Sequence, residues 1–313
     1  MTAIGIDIGG TNVRVLAIDP SGHVLERAYA DTAPERGPQE TIAEIIGMVR
    51  SLQARMRVAP TALGIGVTGP VDPFTGVVTN PFTLGGWPDT NLRSPFEAAF
   101  ALPIAIDNDA NVAAVGEAWL GAGRGYRRVA MVTIGTGIGV AVLLDGDVHR
   151  AADGRHGEAG HMVLRDGGPP CYCGASGCWE VLASGPAIAR AGGEQAWREG
   201  GGLWTLAGGD RERVDAGLVF AAAAGGDPLA QSVVEDAAHC IGVGLANLAA
   251  TVTPDVFILA GGVARQLEAM RPRIEAVLHR QAALIPTDVP VREALLGEDA
   301  GAIGAARLAL RLQ

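Results

Sequence analysis

Cys171, Cys173 and Cys178 fall within eight residues of one another, ten positions after His161. One imidazole and three thiolates make the ligand set of a closed, tetrahedral zinc site. Gly174 and Gly177 allow the tight turning that would bring Cys173 and Cys178 to one ion. Glu158 and Glu180 flank this segment, so a metal here would anchor two loops and aim two carboxylates. The other chemistry open to three such thiols is a disulfide plus a spare thiol. Cysteines one residue apart pair poorly, and nothing in the chain points to an oxidising compartment. Cys240, among alanines in a helical pattern, reads as a small buried apolar residue.

A second set of residues suits phosphate. Asp7-Ile8-Gly9-Gly10-Thr11-Asn12 places an acid at a strand end, ahead of a turn with little side-chain bulk. Such a turn brings backbone N–H groups against phosphate oxygens, and Asp7 could hold Mg²⁺ through water. Taken alone it is equally an ordinary hairpin turn. Gly135-Thr136-Gly137-Ile138-Gly139 repeats the pattern, and two such turns could grip a polyphosphate from both sides. Gly261-Gly262, after an apolar strand, offers a close approach suited to a flat purine ring.

Asp107-Asn108-Asp109-Ala110-Asn111 lies between an apolar strand and a helix start. A carboxylate at a helix N-terminus is stabilised as the anion, and there it can accept the proton of a substrate hydroxyl. Phosphoryl transfer to an alcohol needs that general base. The plainer reading is an N-cap by Asn108 or Asp109, although this run has more polar groups than one cap requires.

The elements that must position these residues alternate. Ile4 to Ile8 and Val13 to Ile18 read as a hairpin, and Val129 to Ile134 with Val140 to Leu144 as a second. Shifted by 126 residues, Gly9 lies over Gly135 and Asp19 over Asp145, which suggests two related domains. Helical spacing marks Thr41 to Met56, Pro95 to Phe100, Asn111 to Leu120, Ala187 to Trp197, Val214 to Ala224 and Leu229 to Thr251. Leu63 to Val67, Pro103 to Ile106 and Val256 to Leu259 read as strands. A last helix, Ala300 to Leu312, is expected to pack back on the first domain. The alternation predicts α/β layering.

Composition narrows the function. A chain of 313 residues has room for two domains. Its net charge of −10 argues against a nucleic-acid partner, which would need clustered Lys and Arg. The first residues show no basic leader, and no uninterrupted apolar stretch reaches membrane-spanning length. A soluble, cytoplasmic protein without membrane contact is expected.

In combination these segments resemble the ROK family of sugar kinases, relatives of the hexokinase–actin–Hsp70 superfamily. The resemblance covers essentially the whole chain. It rests on the three glycine- and acid-bearing segments above, on Gly66-Val67-Thr68-Gly69-Pro70-Val71-Asp72, on Gly157-Glu158-Ala159-Gly160-His161, and on Cys171 through Glu180. It implies a two-domain, actin-like (ribonuclease H-like) ATPase fold with a cleft between domains. The expected divisions are residues 1–119 plus 300–313 for the small domain and 120–299 for the large, zinc-bearing one.

The resemblance further implies ATP, Mg²⁺ and a structural Zn²⁺ held by His161, Cys171, Cys173 and Cys178. Asp109 would be the catalytic base, with Gly69, Thr83, Asn108, Asp109, Glu158, His161 and Glu180 around the sugar. Asp7, Gly9, Gly10, Thr11, Asn12, Thr136, Gly137, Gly261 and Gly262 would line the ATP site. A metal-bound His161 would present its second N–H to a sugar oxygen.

One departure bears on the substrate. Thr83, in Asn80-Pro81-Phe82-Thr83-Leu84-Gly85-Gly86-Trp87, stands where many members carry asparagine. Glucose is the first expectation, with N-acetylglucosamine or N-acetylmannosamine as the alternative. A sugar-sensing relative without catalysis would need neither Asp109 nor both glycine turns, and a bare zinc-binding module leaves the N-terminal half unexplained. From its acidity and its opening at the phosphate-loop strand, the chain is expected to lack the winged helix of the family's repressors. A homodimer or homotetramer is expected.

Overall fold

The structure, a computed structural model, describes residues 1–80, 84, 87, 89–154, 156–280 and 288–313. Thr83 lies outside the described residues. The chain opens with strands Ala3–Ile8 (β1), Asn12–Ile18 (β2) and Val24–Asp31 (β3), followed by helix Pro38–Arg55 (α1) and strand Ala62–Val67 (β4). Short strands Val77–Val78 (β5) and Thr90–Asn91 (β6) precede helix Arg93–Phe100 (α2), strand Ile104–Asn108 (β7) and helix Asp109–Leu120 (α3). Three more strands follow: Arg128–Ile134 (β8), Ile138–Leu144 (β9) and Asp147–Val148 (β10).

Helices then dominate, with Trp179–Ala183 (α4), Gly185–Glu199 (α5), Gly202–Leu206 (α6), Ala216–Ala224 (α7) and Pro228–Val252 (α8). Strand Val256–Ala260 (β11), helix Leu267–His279 (α9), strand Val291–Glu293 (β12) and helix Ala300–Leu310 (α10) complete the chain.

The expected hairpins, β1–β2 and β8–β9, each seed a five-stranded sheet, and the two sheets share one plan. Their strand orders are β3-β2-β1-β4-β7 and β10-β9-β8-β11-β12. Strand pairing is antiparallel from β1 through β3 and parallel from β1 through β4 to β7. The repeat of the glycine turns thus coincides with a repeat of topology.

Several elements had no clear sequence signature. Strand β3 is a half-exposed edge strand whose alternation of exposed and partly buried positions carries polar residues on both faces. Helix α9 holds Pro272 in its interior, a residue that ordinarily signals a helix boundary. Helix α1 starts at Pro38, three residues before the expected Thr41, because proline is tolerated in a first turn.

The chain divides into two compact units, one of residues 1–129, 141–157 and 294–313, the other of residues 130–140 and 158–293. In the first, side chains of β1 alternate strictly. Ile4, Ile6 and Ile8 enter a core with Ile45, Val49, Ile65 and Phe96, while Ala3 packs with Ala302, Ile303 and Ala306 of α10. Gly5 and Gly64 let α10 lie directly on the sheet, since a Cβ at either would collide with its backbone. Period-two geometry therefore turns Asp7 to the α10 side as well.

In the second unit α8 is the central helix, packed by α4, α5, α7 and α9. By length and composition α8 could cross a membrane, but 67% of its most apolar stretch is buried inside the protein, as for a core helix. Asp227 caps it and accepts N–H bonds from Leu229, Ala230 and Leu203. These donors hold its carboxyl below the usual carboxylate range, the bond from Ala230 foremost.

Candidate active site and metal-ligand cluster

The acid run at the end of β7 is a braced turn. Asn108 is the N-cap of α3: its side-chain oxygen accepts from the Ala110 N–H at 3.0 Å. Its amide donates to the Gly69 carbonyl at 3.0 Å, tying the turn to the loop after β4. Asp109 is therefore the first helical residue rather than the cap, and it is partly exposed. Beneath it Asp107 is buried and accepts from the Asn108 N–H and the Asn111 amide, both at 2.8 Å. Arg150 completes the array by donating to the other Asp107 oxygen at 2.6 Å.

Gly69 itself has φ +92°, and a Cβ there would collide with Asn80, whose amide donates to the Thr68 carbonyl at 3.0 Å. Arg150 carries no signal in the sequence that points to this turn. Arg150 and Asp107 meet only through the fold, across 43 positions of sequence.

Register brings the second acid close. Asp7 aligns with Gly66 on β4, and Gly66 with Asp107 on β7, so Asp7 lies near the C-terminal end of β1 and Asp109 just past that of β7, with parallel β4 between the two strands. Ligands of open α/β sheets bind at such strand ends. Burial, followed by the nearby charge of Asp109, pushes the Asp7 carboxyl up to about 7, against the opposing pull of Arg14. Gly301 at the start of α10 leaves room for it, since a Cβ there would stand 2.5 Å from the Asp7 carboxyl carbon. In the turn that follows, the Gly9 N–H donates to the Asn12 carbonyl at 2.9 Å. Thr32 fastens the same turn, its hydroxyl donating to the Gly9 carbonyl and its N–H to the Thr11 carbonyl.

The second glycine turn is built differently. Thr136 is exposed, and Glu180 at the start of α4 accepts the Ile138 N–H at 2.9 Å. A Cβ on Gly137 would stand 2.4 Å from that carboxylate and push it aside, so glycine there lets Glu180 reach the turn. Gly261, with φ +92°, packs against the Ile134 backbone, and Gly262 beside it has open space at its Cβ position.

The four side chains expected to hold a metal converge. One ligand atom from each of His161, Cys171, Cys173 and Cys178 lies within 4.8 Å of all the others. Cys173 and Cys178 sulfurs are 3.6 Å apart, and His161 Nδ1 is 3.4 Å from Cys171 Sγ. Tetrahedral ligands on bonds of ~2.0–2.3 Å stand roughly 3.4–3.8 Å apart, so donor set and spacing both suit such an ion. Gly174 and Gly177, with φ +95° and +72°, make the turns.

All four cysteines are free thiols, and no disulfide forms. Burial, then hydrogen bonds with Cys173 and Cys171, push the Cys178 thiol up to about 12, whereas the Ala175 N–H and the neighbouring thiols lower Cys173. A bound cation would draw those protons off. His161 turns its other nitrogen, Nε2, to the Tyr172 hydroxyl at 3.1 Å. Burial, then the charges of Glu180, Cys171 and Glu158 and a hydrogen bond to Glu180, push this phenol up to about 12.

The fold has known counterparts. The sequence model of the ROK family matches residues 3–312, and the chain belongs to that family. A glucokinase of Halalkalibacterium halodurans is 32% identical over 308 residues, covering 96% of this chain and 92% of that protein. The crystal structure of a ROK hexokinase from Thermus thermophilus superposes with a TM-score of 0.85 at 33% identity, covering 100% of this chain and 99% of that one. A ROK family glucokinase from Streptomyces griseus, solved in complex with glucose and AMPPNP, gives a TM-score of 0.80 at 32% identity, covering 99% of this chain and 100% of that one. The architecture is thus the two-domain, actin-like α/β fold of the ROK sugar kinases.

Proposed function

We propose that this chain is an ATP-dependent hexose kinase whose first substrate is glucose, forming glucose 6-phosphate. The observation that carries the reading is the braced Asp109, set by Asn108, Asp107 and Arg150 in a chain similar over its length to glucokinases. Asp109 takes the proton of the sugar 6-OH as that oxygen forms a bond to the γ-phosphorus. The bond between that phosphorus and the bridging oxygen breaks, and ADP leaves with the electron pair. Asn108 and the Gly69 loop position the sugar beside the base.

Glu158, His161 and Glu180 hold sugar hydroxyls, the carboxylates accepting and the imidazole N–H donating. Gly10, Thr11 and Asn12 cradle phosphate through backbone N–H groups in the turn that the Gly9 N–H closes, and Thr136, Gly137, Gly261 and Gly262 receive the rest of the nucleotide. Asp7 would hold Mg²⁺, which offsets charge on the phosphates. His161, Cys171, Cys173 and Cys178 would hold a structural Zn²⁺; four protein ligands leave it no open position for catalysis. Four free thiols suit the reducing cytoplasm, where we place the protein. A homodimer or homotetramer is part of the same reading.

A coupled ADP-release assay over glucose, mannose, fructose, N-acetylglucosamine and N-acetylmannosamine tests this. Glucose is expected to give the highest kcat/KM. A tenfold preference for an acetylated sugar, about 1.4 kcal/mol in transition-state binding, would replace glucose. No ADP release with any sugar would leave a sugar sensor.

A further inference from the structure

Tyr172 is an aromatic residue between two of the clustered cysteines, yet it is 66% exposed. Its ring stands edge-on to His161, with centroids 5.0 Å apart and planes at 86°, so little packing holds it. What orients it is polar. The hydroxyl lies 3.1 Å from His161 Nε2, and it hydrogen-bonds to the Glu180 carboxylate with Glu158 nearby.

Donor and acceptor roles follow from the other side of the imidazole. With Nδ1 turned to the thiol cluster and bound to an ion in the metal-loaded protein, the ring proton would sit on Nε2. The phenol oxygen therefore accepts from Nε2–H, and its own proton goes to Glu180. Accepting from an imidazole and donating to a carboxylate is the bonding pattern of a sugar hydroxyl held by the same two groups.

We infer that the Tyr172 hydroxyl stands in for one sugar hydroxyl in the unliganded site, so that hexose binding must displace it and Tyr172 sets hexose affinity. This rests on the reading that His161 and Glu180 hold the sugar. The stand-in keeps two polar groups satisfied before substrate arrives. Its exposure leaves solvent for the ring to swing into, at the expense of the hydrogen bonds it gives up.

Tyr172→Phe keeps the ring and removes only the competing hydroxyl. Glucose binding to the metal-loaded proteins is measured by titration calorimetry. The variant is expected to bind glucose more tightly, with Kd lowered about threefold to tenfold, the worth of one net hydrogen bond. In ¹⁵N-histidine NMR spectra the His161 Nε2 resonance should differ between the two sugar-free proteins and converge at glucose saturation. An unchanged Kd overturns the stand-in role, and a raised Kd makes Tyr172 a direct sugar ligand instead. Absence of binding by either protein to any hexose of the panel overturns the kinase reading and this inference together.

Discussion

Arg150 reaches Asp107 at 2.6 Å and supplies the cation for a carboxylate whose side chain is only 3% exposed, two residues before Asp109. Asp107 in turn fixes the Asn108 N–H and the Asn111 side chain, so the guanidinium holds the whole turn from below. Removing one partner of a buried pair costs roughly 3–5 kcal/mol. The 23% exposure of the Arg150 side chain places this pair at the lower end. Arg150→Gln should lower Tm and, by loosening the turn, cut kcat about tenfold or more. Calorimetry and steady-state rates on the folded variant check both, and an unchanged kcat would show that Asp109 is positioned without Arg150.

Asp109→Asn should abolish turnover while glucose binding survives. The amide keeps the shape and most hydrogen bonds of the acid but cannot take a proton. The expected loss in kcat is of order 10²-fold or more. A folded variant retaining a tenth of the wild-type rate would remove Asp109 from the role of base.

Residues close in sequence were the legible part of this site. The cysteine segment and the turn from Asp107 to Asn111 announce themselves because their chemistry lies within a few residues, where spacing constrains geometry. Convergence of His161 with the three cysteines followed the same logic. Pairs joined only by the fold carry no such mark. Nothing in the sequence around Arg150 points to Asp107, and nothing near Gly301 points to Asp7; both pairs come together only when elements distant in sequence pack. Strand β3 is weakly marked because Glu26 interrupts its inner face of Val24, Ala28 and Ala30, while Leu25 and Tyr29 stand on the exposed face. Tyr172 carries no mark in the sequence either, and only the position of its hydroxyl gives it a role.

Cys173→Ser should lower metal content from about one zinc per chain and reduce stability and glucose affinity together. Each structural ligand contributes to a closed set whose binding free energy is local folding energy. Elemental analysis, thermal unfolding and calorimetric glucose titration are the readouts. Carefully prepared wild-type protein without zinc would sink the assignment of the ion.

Asp7 should make both stability and magnesium binding depend on pH, in opposite senses. Its carboxyl is pushed from 3.8 up to about 7, first by burial and then by the Asp109 charge, so the folded protein holds this proton more tightly than the unfolded chain. The stability linked to that proton is fully present below the unfolded value, and it is lost as pH rises through about 7. A cation needs the deprotonated acid, so apparent Mg²⁺ affinity should fall about tenfold per pH unit below that value. Asp7→Asn is expected to raise Tm at pH 8 more than at pH 5, because the amide has no buried charge to accommodate at the higher pH. It should also weaken Mg²⁺ binding at pH 8. Apparent Mg²⁺ affinity that stays flat between pH 5.5 and pH 7.5 in wild-type protein would show that Asp7 does not hold the cation.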